Sequence, residues 1–177
     1  MCSEGKPVVD GPWRRLLEAE QQAMRVGRTV ALRAVEDLKI PAVYGLFRPV
    51  ILIPTSFLTG VPVETMRAVL AHELHHLRRW DPLALALQQI LESLFFFNPF
   101  VWILSRWIGL EREARCDRAA AARMEAGEYA QLLLDLGRRG GLPHHAQIAV
   151  SGDGRASSLA ERIRRLLQPG VRPVMGI

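Results

Sequence analysis

His72-Glu73-Leu74-His75-His76 places two imidazoles four residues apart with a carboxylate beside the first. On a helix, residues at that spacing share a face, with Cβ atoms about 5–6 Å apart, so both rings can bind one ion. Glu73 could then reach a water on the ion without being a ligand itself. Zinc lowers the pKa of its water towards about 7, and the carboxylate takes the proton as hydroxide attacks a carbonyl. His75 offers a competing partner, but pairing it with His72 loses the Glu73 geometry, so it is read as a bystander. The pattern alone also occurs by chance on unrelated helices. Here Ala68, Val69, Leu70 and Leu74 make the helix largely apolar, which leaves the histidines partly buried. Buried ionisable groups need partners, and a metal with a third ligand supplies one.

A catalytic metal with one open position needs that third protein ligand. Glu111-Arg112-Glu113-Ala114-Arg115-Cys116-Asp117 offers two carboxylates, Glu113 and Asp117, on one helical face. One can bind the metal while the other accepts a hydrogen bond from a ligand imidazole. A solvated charged face, with Glu111 paired to Arg115, fits the same residues. His144 and His145 fall in a loop and are read as exposed rather than catalytic.

These side chains need elements to position them. Residues 13–27 carry Leu16, Leu17 and Met24 at helical spacing, with Gly27 as a stop. Thr29 to Val35 alternates apolar and polar, and Ala42 to Tyr44 and Val50 to Ile53 are short apolar runs. With Pro41, Gly45, Pro49 and Pro54 between them, they read as strands of a small sheet, the last two at its edges. From Pro62 the pattern is helical. Glu64 to Arg79 holds no Gly or Pro, Asp81-Pro82 caps and restarts a helix, and Asn98-Pro99 opens a third running to about Met124. Weaker helices follow near Glu128 to Arg138 and Ser157 to Leu167. The expected fold is a single α+β domain over 1–177, a small N-terminal sheet and then packed helices, with a disordered tail at 1–12 and a flexible loop at 139–156.

Composition sets wider limits. Of 177 residues 49% are apolar and 23% charged, which excludes general disorder. The net charge is +5 and nearly all of the positive charge is arginine, since Lys6 and Lys39 are the only lysines. The arginines are scattered and match no recognition motif, so no direct nucleic-acid partner is expected. Cys2 and Cys116 are too few and too distant for a disulfide framework, which favours a reducing location. No apolar stretch follows the first residues, so no secretory signal is expected there and Cys2 is not read as a lipoprotein cysteine.

Leu83 to Ser105 has Glu92 as its only charge, and its length approaches a membrane span. Asn98-Pro99 divides it into two pieces, each too short to cross. Phe95 to Phe97, with Trp102 and Trp107, fit a membrane interface, and a buried helical hairpin fits equally well. Contact with a membrane through 83–107 is therefore one of two open expectations.

AHELHHLRRWDPL, FFFNPFVWILSRW and EREARCD, in that order, resemble the metallopeptidase domain of bla/mec-type beta-lactam sensor-transducers and their wider antirepressor peptidase family. PAVYGLFRPVILIP upstream and SSLAERIRRLL at the C-terminal end are similar to the same family, so most of 40–167 is covered. The resemblance implies a zincin-type helical core of the gluzincin class with one catalytic zinc. His72 and His76 would be ligands, Glu113 the third, Glu73 the base and Asp117 a supporting carboxylate. It also implies an edge strand beside the cleft, with Gly45, Leu46, Val50, Ile51 and Leu52 as the substrate-binding positions. Activity would be that of a zinc endopeptidase in regulated proteolysis on the cytoplasmic side of a membrane, its substrate a protein or peptide such as a transcriptional repressor. Cobalt, nickel or manganese suit the same donor atoms. The chain departs from the family pattern in showing neither an unbroken transmembrane helix before the motif nor a penicillin-binding sensor domain after it, so beta-lactam sensing is not expected. A metal-stabilised, non-hydrolytic signalling or membrane-associated module is the competing reading.

Overall fold

Hydrophobic side chains of one long helix decide how the chain folds around it. The computed structural model describes residues 5–8, 10–139 and 154–167. Helix α3, Val63–Arg78, presents Met66, Leu70, Leu74 and Leu77 along one face, all fully buried. That spacing forms the apolar stripe of a 3.6-residue period. The stripe packs in one cluster with Leu17 and with Leu32, Ile51 and Ile53 of the sheet. The opposite side of α3 carries Ala68, which joins Ala120, Tyr129 and Leu133 in a second cluster. α3 is thus held between the sheet on one side and later helices on the other.

The preceding elements follow local signals. Helix α1, Pro12–Ala23, has proline in its first turn and buries Leu16 and Leu17. It ends before Gly27, because Arg25 itself adopts a left-handed turn at φ 53°. Strand β1, Lys6–Pro7, pairs antiparallel with β2, Ala31–Val35, so the stretch 1–12 contributes a strand and the first residue of α1. β2 pairs in parallel with β4, Val50–Pro54, with Leu32 opposite Ile51 and Ala34 opposite Ile53. β3, Ala42–Tyr44, pairs antiparallel with β4 alone, giving the order β1-β2-β4-β3. Gly45 turns β3 into the connection to β4 at φ 89°, where an added Cβ would lie 2.7 Å from the Arg48 carbonyl oxygen.

One expectation about the sheet is corrected here. Val50, Ile51 and Leu52 lie on an internal strand bonded on both sides, and Gly45 and Leu46 lie in the turn before it. Pro49 precedes the paired stretch and Pro54 is its last residue, opposite Val35, so the donors of residues 50–53 remain and β4 is free to sit inside the sheet. The edge strands are β1 and β3.

A short helix α2, Thr55–Gly60, leads into α3. Beyond it come α4, Asp81–Leu94, then α5, Pro99–Ala121, α6, Ala126–Arg138, and α7, Gly154–Leu167. α4 and α5 do not form a buried hairpin. Leu94, Phe96, Phe97 and Phe100 are each more than 60% exposed. Among the described residues no helix is long and apolar enough to cross a membrane. The expected loop at 139–156 lies largely outside the described residues, as do Cys2, His144 and His145.

Candidate metal centre

The two histidines of α3 face α5 across the second cluster. His72 Nε2 and His76 Nε2 lie 3.3 Å apart, and the Glu113 carboxylate stands 3.7 Å from the first and 3.6 Å from the second. Donor atoms of His72, His76 and Glu113 all fall within 4.8 Å of one another, and all three residues are buried. His75 is outside this group. α5 brings Glu113 to the histidines because Cys116 and Ala120, one and two turns further on, are packed at zero exposure on the same side.

The far side of each ring is anchored. His76 Nδ1 donates to Asp81 Oδ2 at 2.8 Å. His72 Nδ1 faces Asp117 Oδ1 at 3.3 Å and Tyr129 Oη at 3.1 Å, and the Tyr129 hydroxyl donates to Asp117 Oδ1 at 2.9 Å. With the Nδ1 atoms donating, both Nε2 lone pairs point at the Glu113 carboxylate. Three acceptors aimed at one point repel each other unless a cation lies between them. The residues therefore fit a divalent metal held by nitrogen and oxygen donors. A proton on His72 answers the same need. Burial opposes charge on that ring, yet Asp117 and Glu113 outweigh it and carry its pKa up to about 10, so metal and proton compete.

Asp81, Tyr129 and Arg162 are contributors that sequence spacing did not disclose. Asp81 read as a helix cap, but Trp80 occupies the cap position at φ 58°, a left-handed conformation costly for a bulky residue. Arg28 supports it, stacking 3.3 Å over the Trp80 ring and donating to the Leu77 carbonyl. The sharp turn delivers the Asp81 carboxylate to His76 only five residues away. Arg162 of α7 is 3% exposed and grips Asp117 through two hydrogen bonds of 2.7 and 2.6 Å. Its Nη1 lies 3.3 Å from Glu113 Oε2. Nothing short of the folded helix packing links residue 162 to the motif.

Cys116 Sγ lies 3.4 Å from His76 Nδ1, on the Asp81 side of the ring. Burial and the surrounding carboxylates push its thiol well above the usual range, and with His76 and Asp81 it forms a second buried group whose donor atoms lie within 4.8 Å of one another. Glu73 is outside the ligand group of His72, His76 and Glu113. It lines a small, mainly apolar cavity with His72, Ile40, Pro41, Tyr129 and Arg162, and among the described residues its Oε2 has no hydrogen-bond partner. Ile40 and Pro41 immediately precede β3, so this cavity opens beside that edge strand.

Asp81→Ala tests the anchoring of His76. A partner that fixes a ligand ring is worth about 10–100-fold in metal affinity. A fall of that size is expected in a competition titration against a metal-binding dye. Affinity within about twofold of the parent would show that the His76–Asp81 bond does not support the site.

The family model for BlaR1 peptidase M56 matches residues 3–166. The regulatory protein BlaR1 of Bacillus licheniformis is 33% identical over 99 residues, 56% of this chain and 16% of that protein. The regulatory protein BlaR1 of Staphylococcus aureus is 26% identical over 111 residues, 61% of this chain and 19% of the relative. The methicillin resistance mecR1 protein of Staphylococcus epidermidis is 28% identical over 104 residues, 59% and 18%. The match covers less than a fifth of the length of each of these relatives.

Proposed function

The chain belongs to the BlaR1 peptidase M56 family, and from that premise we propose that it is a zinc-dependent endopeptidase cleaving an extended segment of a protein substrate. The observation that carries the reading is the convergence of His72, His76 and Glu113, with Glu73 lining the adjoining cavity. When bound, zinc supplies Lewis-acid chemistry, polarising a carbonyl and acidifying water. Glu73 takes the proton of the attacking water and can return it to the departing amine. Asp81 and Asp117 hold the ligand rings in the tautomer that leaves Nε2 free. Ile40 and Pro41 make the near wall of the cavity apolar, a surface suited to the apolar part of a substrate.

Substrate binding falls to β3 rather than β4. β3 is bonded to β4 on one side only, so its other edge can take an extended peptide as a further strand. Tyr44 and Phe47, both strongly exposed, offer apolar contact along that edge and its turn. A membrane-proximal signalling substrate at the cytoplasmic face, a transcriptional repressor among the options, suits the family, whose named relatives are regulatory proteins.

Metal removal tests the reading. Hydrolysis of casein or an unstructured peptide should stop on chelation and return with about one equivalent of zinc per chain, the ion lying between three protein ligands. An anomalous map at the zinc edge should place that ion between His72, His76 and Glu113. Turnover that survives complete removal of metal, or an ion bound elsewhere, would end the proposal. A loaded, folded chain that binds peptide at β3 without cutting it would favour a signalling module instead.

A further inference from the structure

The α4–α5 hairpin is built inside out. Gln88 Nε2 donates to Glu92 Oε1 at 3.0 Å and to the Ser105 carbonyl at 3.3 Å, and Arg112 Nη2 donates to Gln88 Oε1 at 2.9 Å. Glu92, Ser105 and Arg112 are buried, so these polar groups are spent between the two helices. The outer surface is largely apolar, with Leu87, Leu94, Phe96, Phe97, Phe100 and Ile103 between 57% and 74% exposed and the uncharged Gln89 and Ser93 exposed among them. Between Leu83 and Ser105 no charged side chain is exposed. A helix facing water has the reverse arrangement, and a patch of this extent marks an interaction surface.

The tip adds a second observation. Phe95 N–H donates to the Leu91 carbonyl and Asn98 N–H to the Phe95 carbonyl, each at 2.9 Å. The Asn98 side chain accepts from Phe100 N–H at 3.0 Å, and the Trp102 indole N–H donates to the Phe96 carbonyl at 3.0 Å. Water would satisfy these groups on an exposed turn. Hydrocarbon would not, and it demands internal partners such as these.

The base is of opposite character. Arg78 and Arg79 are exposed there beside Trp80, and Arg106 and Trp107 are exposed partway up α5, about 9 Å beyond Phe100. Arginine with tryptophan suits the interface of a bilayer carrying anionic headgroups. Helix α4 has 14 residues. At about 1.5 Å per residue it is about 21 Å long, more than the roughly 15 Å of one leaflet's hydrocarbon and less than the whole core of about 30 Å. A flat protein partner would need one apolar face, whereas here both helices and the turn between them are apolar.

We infer that the α4–α5 hairpin inserts its Phe95–Phe100 tip into the acyl interior of one leaflet, with the arginine and tryptophan collar at anionic headgroups. Phe100 and Glu113 lie on the same helix roughly 20 Å apart, so insertion holds the metal ligands close above the headgroups. The site would then meet protein segments near a membrane surface. The inference concerns lipid and stands whether or not the chain cleaves peptides.

The test is flotation of the 177-residue chain with vesicles of phosphatidylcholine and phosphatidylglycerol. The chain should float with them, remain bound in about 1 M salt, where headgroup attraction is screened, and have its tryptophan emission quenched by brominated acyl chains. Phe96→Glu with Phe100→Glu should lower the bound fraction at least about tenfold, since each charge opposes burial in hydrocarbon. Both side chains are exposed, so thermal unfolding and metal binding should not change. Failure to float would overturn the inference. Release by salt, or absence of bromine quenching, would reduce the contact to headgroup adsorption and likewise overturn it. So would a self-associated form that vesicles do not compete away and that the double variant dissolves, because a second copy would then cover the face.

Discussion

Glu73→Gln is expected to slow peptide hydrolysis by about 10²–10⁴-fold, the usual contribution of a positioned general base. The effect should appear in kcat, with zinc content and thermal unfolding unchanged. Glutamine keeps the shape of the side chain and can still accept a hydrogen bond through its amide oxygen, so the fold has little reason to respond. What it cannot do is accept a proton. Glu73 is suited to that task because it is buried beside His72 with Oε2 unpaired. Among the described residues Oε2 makes no hydrogen bond whose loss would complicate the result. Comparison with Glu113→Ala separates base from ligand. That variant should lose the metal as well as the activity, because two imidazoles alone leave the coordination sphere open. Hydrolysis by the Gln variant at the parent rate would remove Glu73 from the mechanism while leaving the metal site in place.

The site was legible in the sequence as far as short-range geometry reaches. His72, Glu73 and His76 lie within two helical turns, so their common environment follows from the helix alone. Glu113 and Asp117 could be recognised as a pair, but their approach to α3 depends on the return of the chain through α4 and on the packing of α5 against α3. Asp81 was seen and misread, since Asp-Pro is a strong helix-start signal and the left-handed turn at Trp80 leaves no mark in composition. Arg162 had no local signal at all, its position depending on the packing of α7 against α5 and α6. The strands were visible as apolar runs, yet their order was not. Proline at a strand border excludes donation at that residue only, and β4 uses the donors between its prolines on both sides. For Leu83 to Ser105 hydropathy fixed the content and could not fix the direction. A buried hairpin and an inverted one have the same composition, and only the inward hydrogen bonds of Gln88 distinguish them.

Arg162→Met should destabilise the chain by about 3–5 kcal/mol, the cost of removing one partner from a buried charge cluster. Arg162, Asp117 and Glu113 are all at 6% exposure or less, so solvent screens them little. Burial by itself would push both carboxyls up. The guanidinium, together with the facing histidines, outweighs it and holds Glu113 and Asp117 below the usual carboxylate range. A depressed folded pKa contributes stability that is present above the ordinary carboxylate pKa near 4 and is lost as pH falls through the folded value. The parent should therefore lose stability towards acid more steeply than Arg162→Met, which has less of this contribution to lose. Methionine fills most of the vacated volume, so the loss reports charge rather than packing. Adding Asp117→Asn to Arg162→Met should recover part of the loss, because the amide removes an unpaired charge while still accepting from Tyr129. Such recovery is coupling between neighbours, and urea unfolding of the two single variants and the double variant measures it. A loss below about 1 kcal/mol for Arg162→Met would mean that the carboxylates find other partners, and that α7 is held by Ile163 and Leu166 rather than by the ion cluster.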